Sequence, residues 1–124
     1  MQIQLKRIYD ERDRENDYRV LVDGMWPRGV AKEDAHIDEW CRDIAPSKDL
    51  VKWFGHDRDR WNDFYAAYHK ALREGDSTLA RTLREHARDE GLTLLFAARD
   101  EACNNAVVLR DFLKRTPHLS LIHI

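Results

Sequence analysis

The stretch LTLLFAA, Leu92 to Ala98, is apolar without any alternation of polar residues. That is the pattern of a strand covered on both faces, as in a parallel sheet. Tyr18 to Asp23 (YRVLVD) is a second β-branched run. Ile3 to Ile8 sets Ile3 and Leu5 against Gln4 and Lys6, the period-2 signal of a strand with one wet face. Helical patterning fills the space between the second run and Leu92. Ser47 is placed to cap a short helix that carries Leu50, Trp53 and Phe54 and stops at Gly55, and Asp57 to cap the next. Trp61, Phe64, Tyr65, Tyr68 and Leu72 make the stripe of the longest helix, which ends at Gly75; Leu79, Leu83 and Ala87 make another before Gly91. A last helix beginning near Asn104 is expected to bury Val107, Val108 and Phe112, with Leu109 a further candidate. The spacing of Ile37, Trp40, Cys41 and Ile44 predicts one more helix, stopped by Pro46. Strands separated by helices imply an α/β fold: a small, mostly parallel sheet of about three strands with helices packed against it.

A chain of 124 residues has room for one ordinary core, and no linker or repeat divides it, so one domain and one principal site are expected. The 35% of charged residues mix both signs and sum to a formal charge of −2, which leaves no broad basic field for nucleic acid. Arg58, Arg60, Lys70, Arg73, Arg81, Arg84 and Arg88 are interleaved with acids, as on a solvated face with pairs such as Arg81 and Glu85. The charged stretch Asp10 to Asp17 is expected to run over the surface. The opening MQIQLKRIYD has no secretory apolar core and no segment approaches bilayer length, so the expectation is a cytoplasmic protein with no membrane partner. Cys41 and Cys103 stand far apart and are expected to be reduced thiols. No H-x-H, H-E-x-x-H or C-x-x-C occurs, so no metal site is predicted, and no cofactor is assigned.

In open parallel sheets ligands bind outside the carboxyl ends of the strands. Two segments fall there: Asp23 to Gly29 (DGMWPRG) after the second strand, and Arg99 to Asn105 (RDEACNN) after the third. Trp26, Pro27, Arg28 and Gly29 put a rigid aromatic and proline pair beside a guanidinium, which suits an anion or a planar ligand. The plainer alternative has Trp26 in the core and Arg28 paired with Asp38 or Asp43. Asp23 has two catalytic roles open to it, general base or orienting partner of Arg28, besides capping the turn. Asp100, Asn104 and Asn105 open the last helix, whose free N–H groups would welcome a phosphate or carboxylate, with an asparagine as simple N-cap the competing role. Cys103 is a candidate nucleophile at a helix N-terminus, although Arg110 lies one residue too far for a C-x5-R loop. His56, at a helix junction, is the best placed of six histidines for proton transfer or as a lone ligand to a cofactor such as haem; capping a helix is its ordinary alternative.

The succession RVLVDGMWPRGV, DEWCRDIAPS, LVKWFGHD and LTLLFAARDEACNNAVVL resembles the YeaO-like family, domain of unknown function 488. The resemblance runs from about Ile3 to Lys114, which gives a single α/β domain over 1–114 and a tail, 115–124, outside it. It implies a compact α/β fold in a cytoplasmic bacterial protein and carries no reaction. Family members commonly read D-R-L-W-P-R-G where this chain has Gly24, and H-N-H where it has Cys103-Asn104-Asn105, so roles needing that cation or those histidines are in doubt. The end of the tail, Leu119 to Ile124, has the composition of an extra edge strand or of an appendage. Together these features lead to an expectation: a small anionic ligand, phosphate-bearing ones included, is bound and, if chemistry occurs, acted on at the strand ends. The alternative is a non-catalytic regulatory or protein-interaction module presenting the helices Asp57 to Arg73 and Thr78 to Glu90. Assembly into a homo-oligomer is compatible with both.

Overall fold

In the computed structural model, which describes residues 1–10 and 16–115, the strand Leu92–Phe96 (β4) lies inside a parallel sheet of four strands. It pairs on one side with Ile3–Arg7 (β1) and on the other with Tyr18–Leu21 (β2), so that Leu92 faces both Ile3 and Tyr18. A two-residue strand, Glu39–Trp40 (β3), adds to the outer side of β2 and gives the order β1-β4-β2-β3. Every residue of β4 is buried, Thr93 included, as a run without apolar–polar alternation requires, whereas edge strand β1 is only half-buried throughout.

The two faces are covered differently. On one, Val20, Val22, Leu92, Leu94 and Phe96 meet Ala80, Leu83 and Ala87 of the helix Ser77–Asp89 (α4) and Ala106, Leu109 and Leu113 of the helix Asn105–Lys114 (α5). On the other, Leu21 and Leu95 pack with Ile8, Trp26, Trp40 and Ala35 of the short helix Lys32–Ala35 (α1). The helix Trp61–Glu74 (α3) lies outside α5, where Phe64 and Tyr68 join Val108 and Phe54 of the helix Lys48–Phe54 (α2). The caps fall where composition put them: Ser47 accepts from Leu50 N–H, Asp57 from Asp59 N–H and Asn104 from Val107 N–H.

Three expectations are corrected. The sheet has four strands rather than about three, because residues 37–44 do not form a helix. His36 adopts a left-handed φ of 51° and stops α1; Asp38 and Cys41 then donate their N–H groups to Arg19 and Leu21 carbonyls on the open edge of β2. What helical character remains is the 3-10 turn Arg42–Ile44, cut short because Pro46 holds Ala45 extended. On α5 the buried residues are Ala106, Val108, Leu109 and Leu113, with Val107 and Phe112 half-buried: the helix is rotated so that it serves the sheet and α3 at once. Among the described residues the i,i+4 contact at the end of α4 joins the His86 imidazole to the Glu90 carboxyl, and Arg81 is not paired with Glu85. Most of the charged stretch Asp10 to Asp17 and the tail beyond Arg115 lie outside the described residues.

Candidate ligand-binding cleft

Because all four strands run the same way, the chain leaves β2 and β4 at one edge of the sheet, and Asp23 ties those exits together. Its Oδ2 accepts from the Ala97 N–H at 2.9 Å, just past β4, and its Oδ1 from Asn105 Nδ2 at 3.1 Å, in the first turn of α5. The same Asn105 amide donates to the Val22 carbonyl at 3.1 Å. Two acceptors on one side therefore fix the amide orientation, and Asn105 Oδ1 is left without a donor among the described residues. Burial pushes the Asp23 carboxyl above its usual range, opposed by the two hydrogen bonds and by the nearby His56.

The loop after Asp23 is held at both ends of its WPR sequence. Trp26 is half-buried, edge-on to Trp40 at 5.3 Å between centroids, and its Nε1 donates to the Val30 carbonyl at 2.7 Å. The Arg28 carbonyl accepts from the Tyr9 hydroxyl at 3.0 Å. With its backbone anchored, Arg28 stays exposed, and no carboxylate pairs with its guanidinium among the described residues. Asp38, one of the partners considered for it, accepts from the Arg19 N–H instead.

His56 approaches from the far side. Gly55 and His56 are both left-handed, with φ of 54° and 58°, which turns the chain sharply between α2 and the 3-10 turn Arg58–Arg60. That conformation costs a non-glycine residue roughly 1–2 kcal/mol. Histidine tolerates it better than most, and the imidazole leans on Phe54 at 6.2 Å.

Arg28 and His56 thus line one open cleft of about 650 Å³, together with Asp23, Trp26, Asn104 and Asn105. Its size falls within the roughly 300–1,000 Å³ of small-molecule sites. Sequence reasoning missed two of its cations. Lys48 and Lys52 also line it, one turn apart on α2, with Val51 between them in the same wall. The Ser47 cap fixes where α2 begins, so the i,i+4 relation of the lysines was available from the sequence; that their face turns toward the strand ends was not. Apolar walls come from Met25, Phe54, Phe64, Ala97 and Ala98.

Asp100 and Cys103 lie outside the cleft. Asp100 forms a bidentate pair with Arg58, at 2.8 and 2.9 Å, and accepts from the Ala102 and Cys103 N–H groups, both at 3.0 Å. Arg58 holds this carboxyl down at about 2. The turn that a ligand anion was expected to use is thus served by the chain's own carboxylate. Asn104 is the α5 N-cap, and its Nδ2 donates to the Asp100 carbonyl at 2.8 Å. Cys103 is buried one residue before that cap. Among the described residues no group of three or more His, Cys, Asp and Glu side chains gathers as a metal would need, and no helix is long and apolar enough to cross a membrane.

The sequence profile described as the inactive DUF488-N3 subclade matches residues 2–119. Over 114 residues the chain is 38% identical to the uncharacterized protein YeaO of Escherichia coli K12, covering 92% of this chain and 98% of that one. It is 35% identical over 111 residues to the uncharacterized proteins Mb3100c of Mycobacterium bovis and Rv3073c of Mycobacterium tuberculosis, covering 90% of this chain and 92% of each. No solved structure matches.

Proposed function

We propose that this chain, which belongs to the inactive DUF488-N3 subclade, uses the strand-end cleft to bind a small anionic ligand without transforming it. One observation carries the reading. Arg28, Lys48 and Lys52 converge on a single cleft against one carboxylate, Asp23, and none of the three cations has a carboxylate partner among the described residues. A chain with a net charge of −2 has spare acids to neutralise such a cluster if stability were its purpose, so the unpaired cations favour a ligand's charge. Three cations that are already gathered also cost a ligand little reorganisation.

Binding without turnover is supported by how the polar groups are engaged. Both Asp23 oxygens already accept hydrogen bonds that join β2, β4 and α5, so Asp23 serves as a latch for the cleft rather than as its base. Cys103 and Asp100 lie away from the cleft, which leaves His56 as its one imidazole. The description of the subclade as inactive accords with this reading.

The test is a titration with inorganic phosphate, followed by thermal stability and by amide chemical shifts. Phosphate should raise the melting temperature of the wild type, and the rise should be lost in Arg28→Ala and in Lys48→Ala/Lys52→Ala, all positions exposed enough to leave the fold intact. Equal responses of the wild type and both variants would refute the proposal.

A further inference from the structure

The cleft is not built like a site for a bare ion. Its cations stand at exposed positions, Arg28, Lys48 and Lys52, while beside the polar groups of Asp23, His56, Asn104 and Asn105 much of the lining is carbon: Phe54 and Phe64, buried and stacked at 4.4 Å, border the cleft, as do Ala97 and Ala98. Met25 and Val51 also line it, although both are well exposed, Met25 to 74%. An apolar side chain so exposed gains little from folding and is available to a ligand. On α2 the pattern repeats within one turn. Lys48, Val51 and Lys52 occupy positions i, i+3 and i+4, so a single helix face offers an aliphatic surface flanked by two ammonium groups. A phosphate ion would fill only a small part of about 650 Å³ and would leave that apolar wall wet.

We infer that the ligand is an organic anion whose apolar body, of about the size of one aromatic ring or larger, enters the cleft while its phosphate or carboxylate head stays at the Arg28, Lys48 and Lys52 rim. This rests on the anion-binding reading above and narrows it. The body lies between Val51, Met25 and the Phe54 and Phe64 rings, where burial of carbon supplies affinity that charge alone does not. Asn105 lines the cleft and its Oδ1 has no donor among the described residues, which adds a preference for a body that carries a hydrogen-bond donor.

The probes are phenyl phosphate, methyl phosphate and benzyl alcohol, titrated into the full chain with amide chemical shifts as readout. Phenyl phosphate should bind tighter than methyl phosphate by roughly tenfold or more, the return expected for burying a ring. It should also bind tighter than the neutral alcohol, and shift residues on both cleft walls. Lys48→Ala/Lys52→Ala should weaken both phosphates, whereas Val51→Ser should weaken phenyl phosphate alone; unchanged melting curves check that both variants fold. Equal affinities for the two phosphates, with Val51→Ser silent and the lysine variant still weakened, would overturn the inference and leave the anion site standing. If neither phosphate binds, or benzyl alcohol binds as well as phenyl phosphate and the lysine variant is unaffected, both readings fall together.

Discussion

Replacing Gly91 by alanine sets two opposing effects against each other, and the structure says which prevails. Alanine removes freedom from the unfolded chain, and where the native backbone accepts it this stabilises by about 0.4–1 kcal/mol. Gly91 does not accept it. Its φ is +92°, a region that costs an L-residue roughly 1–2 kcal/mol, and an added Cβ would lie 2.5 Å from Asp17 Oδ1 and 3.1 Å from its Cγ. Asp17 cannot simply step aside, being 7% exposed and accepting from Thr93 Oγ1 at 3.0 Å. Displacing it leaves a buried polar group unpaired, at about 1–3 kcal/mol. The net loss is about 2–4 kcal/mol, and for a domain of this length each kcal/mol lowers Tm by roughly 4 °C. Gly91→Ala should therefore melt about 8–16 °C below the wild type. Gly24→Ala is the control: its φ is ordinary and its Cβ would meet only Ala45 Cβ at 3.7 Å, so it should melt at or above the wild type. A Gly91→Ala Tm within about 2 °C of the wild type, or above it, would refute the reasoning.

Tyr68→Phe removes a buried hydroxyl that donates to the Ile44 carbonyl at 2.7 Å, and should lower Tm by about 4–8 °C in a thermal melt with no change in secondary structure. Asp100 is held below its unfolded value, so its contribution to stability is present above the ordinary carboxyl range and is lost as pH falls toward about 2. Urea unfolding of the wild type and Asp100→Asn should accordingly differ at pH 6 and converge in acid; a gap independent of pH would refute this. Gly24→Arg adds a fourth cation to the cleft at a position with room for a side chain. It should tighten phenyl phosphate binding at low salt, with the gain fading as salt is raised; a gain that persists in high salt would show that charge is not its cause.

Three of the four strands and the caps Ser47, Asp57 and Asn104 were legible because their signals are local. The run without alternation at β4 and these oxygen-bearing caps are each read within a few residues. So was the region of the cleft, since parallel strands put both exits on one edge. Ile37, Trp40, Cys41 and Ile44 misled because apolar spacing cannot register an open strand edge nearby: the carbonyls of Arg19 and Leu21 captured the backbone that would have turned into helix. The same non-local cause hid Lys48 and Lys52, whose helix was evident while its facing was not. Asp100 drew attention as a charged residue opening a helix, and the pairing that occupies it depends on Arg58, 42 residues earlier.

The strand order also governs how this protein can be made. β4 is the common neighbour of β1 and β2, which do not touch each other in the sheet. A nascent chain therefore carries both earlier strands, with β1 waiting through about 85 further residues of synthesis, before either gains its main partner. Only the small β2 and β3 pairing precedes it. Completion of the sheet is therefore late, paced by the closure of very long loops, and a ribosome stalled before Leu92 would leave β1 and the Val20 and Leu21 side chains of β2 without their main partner.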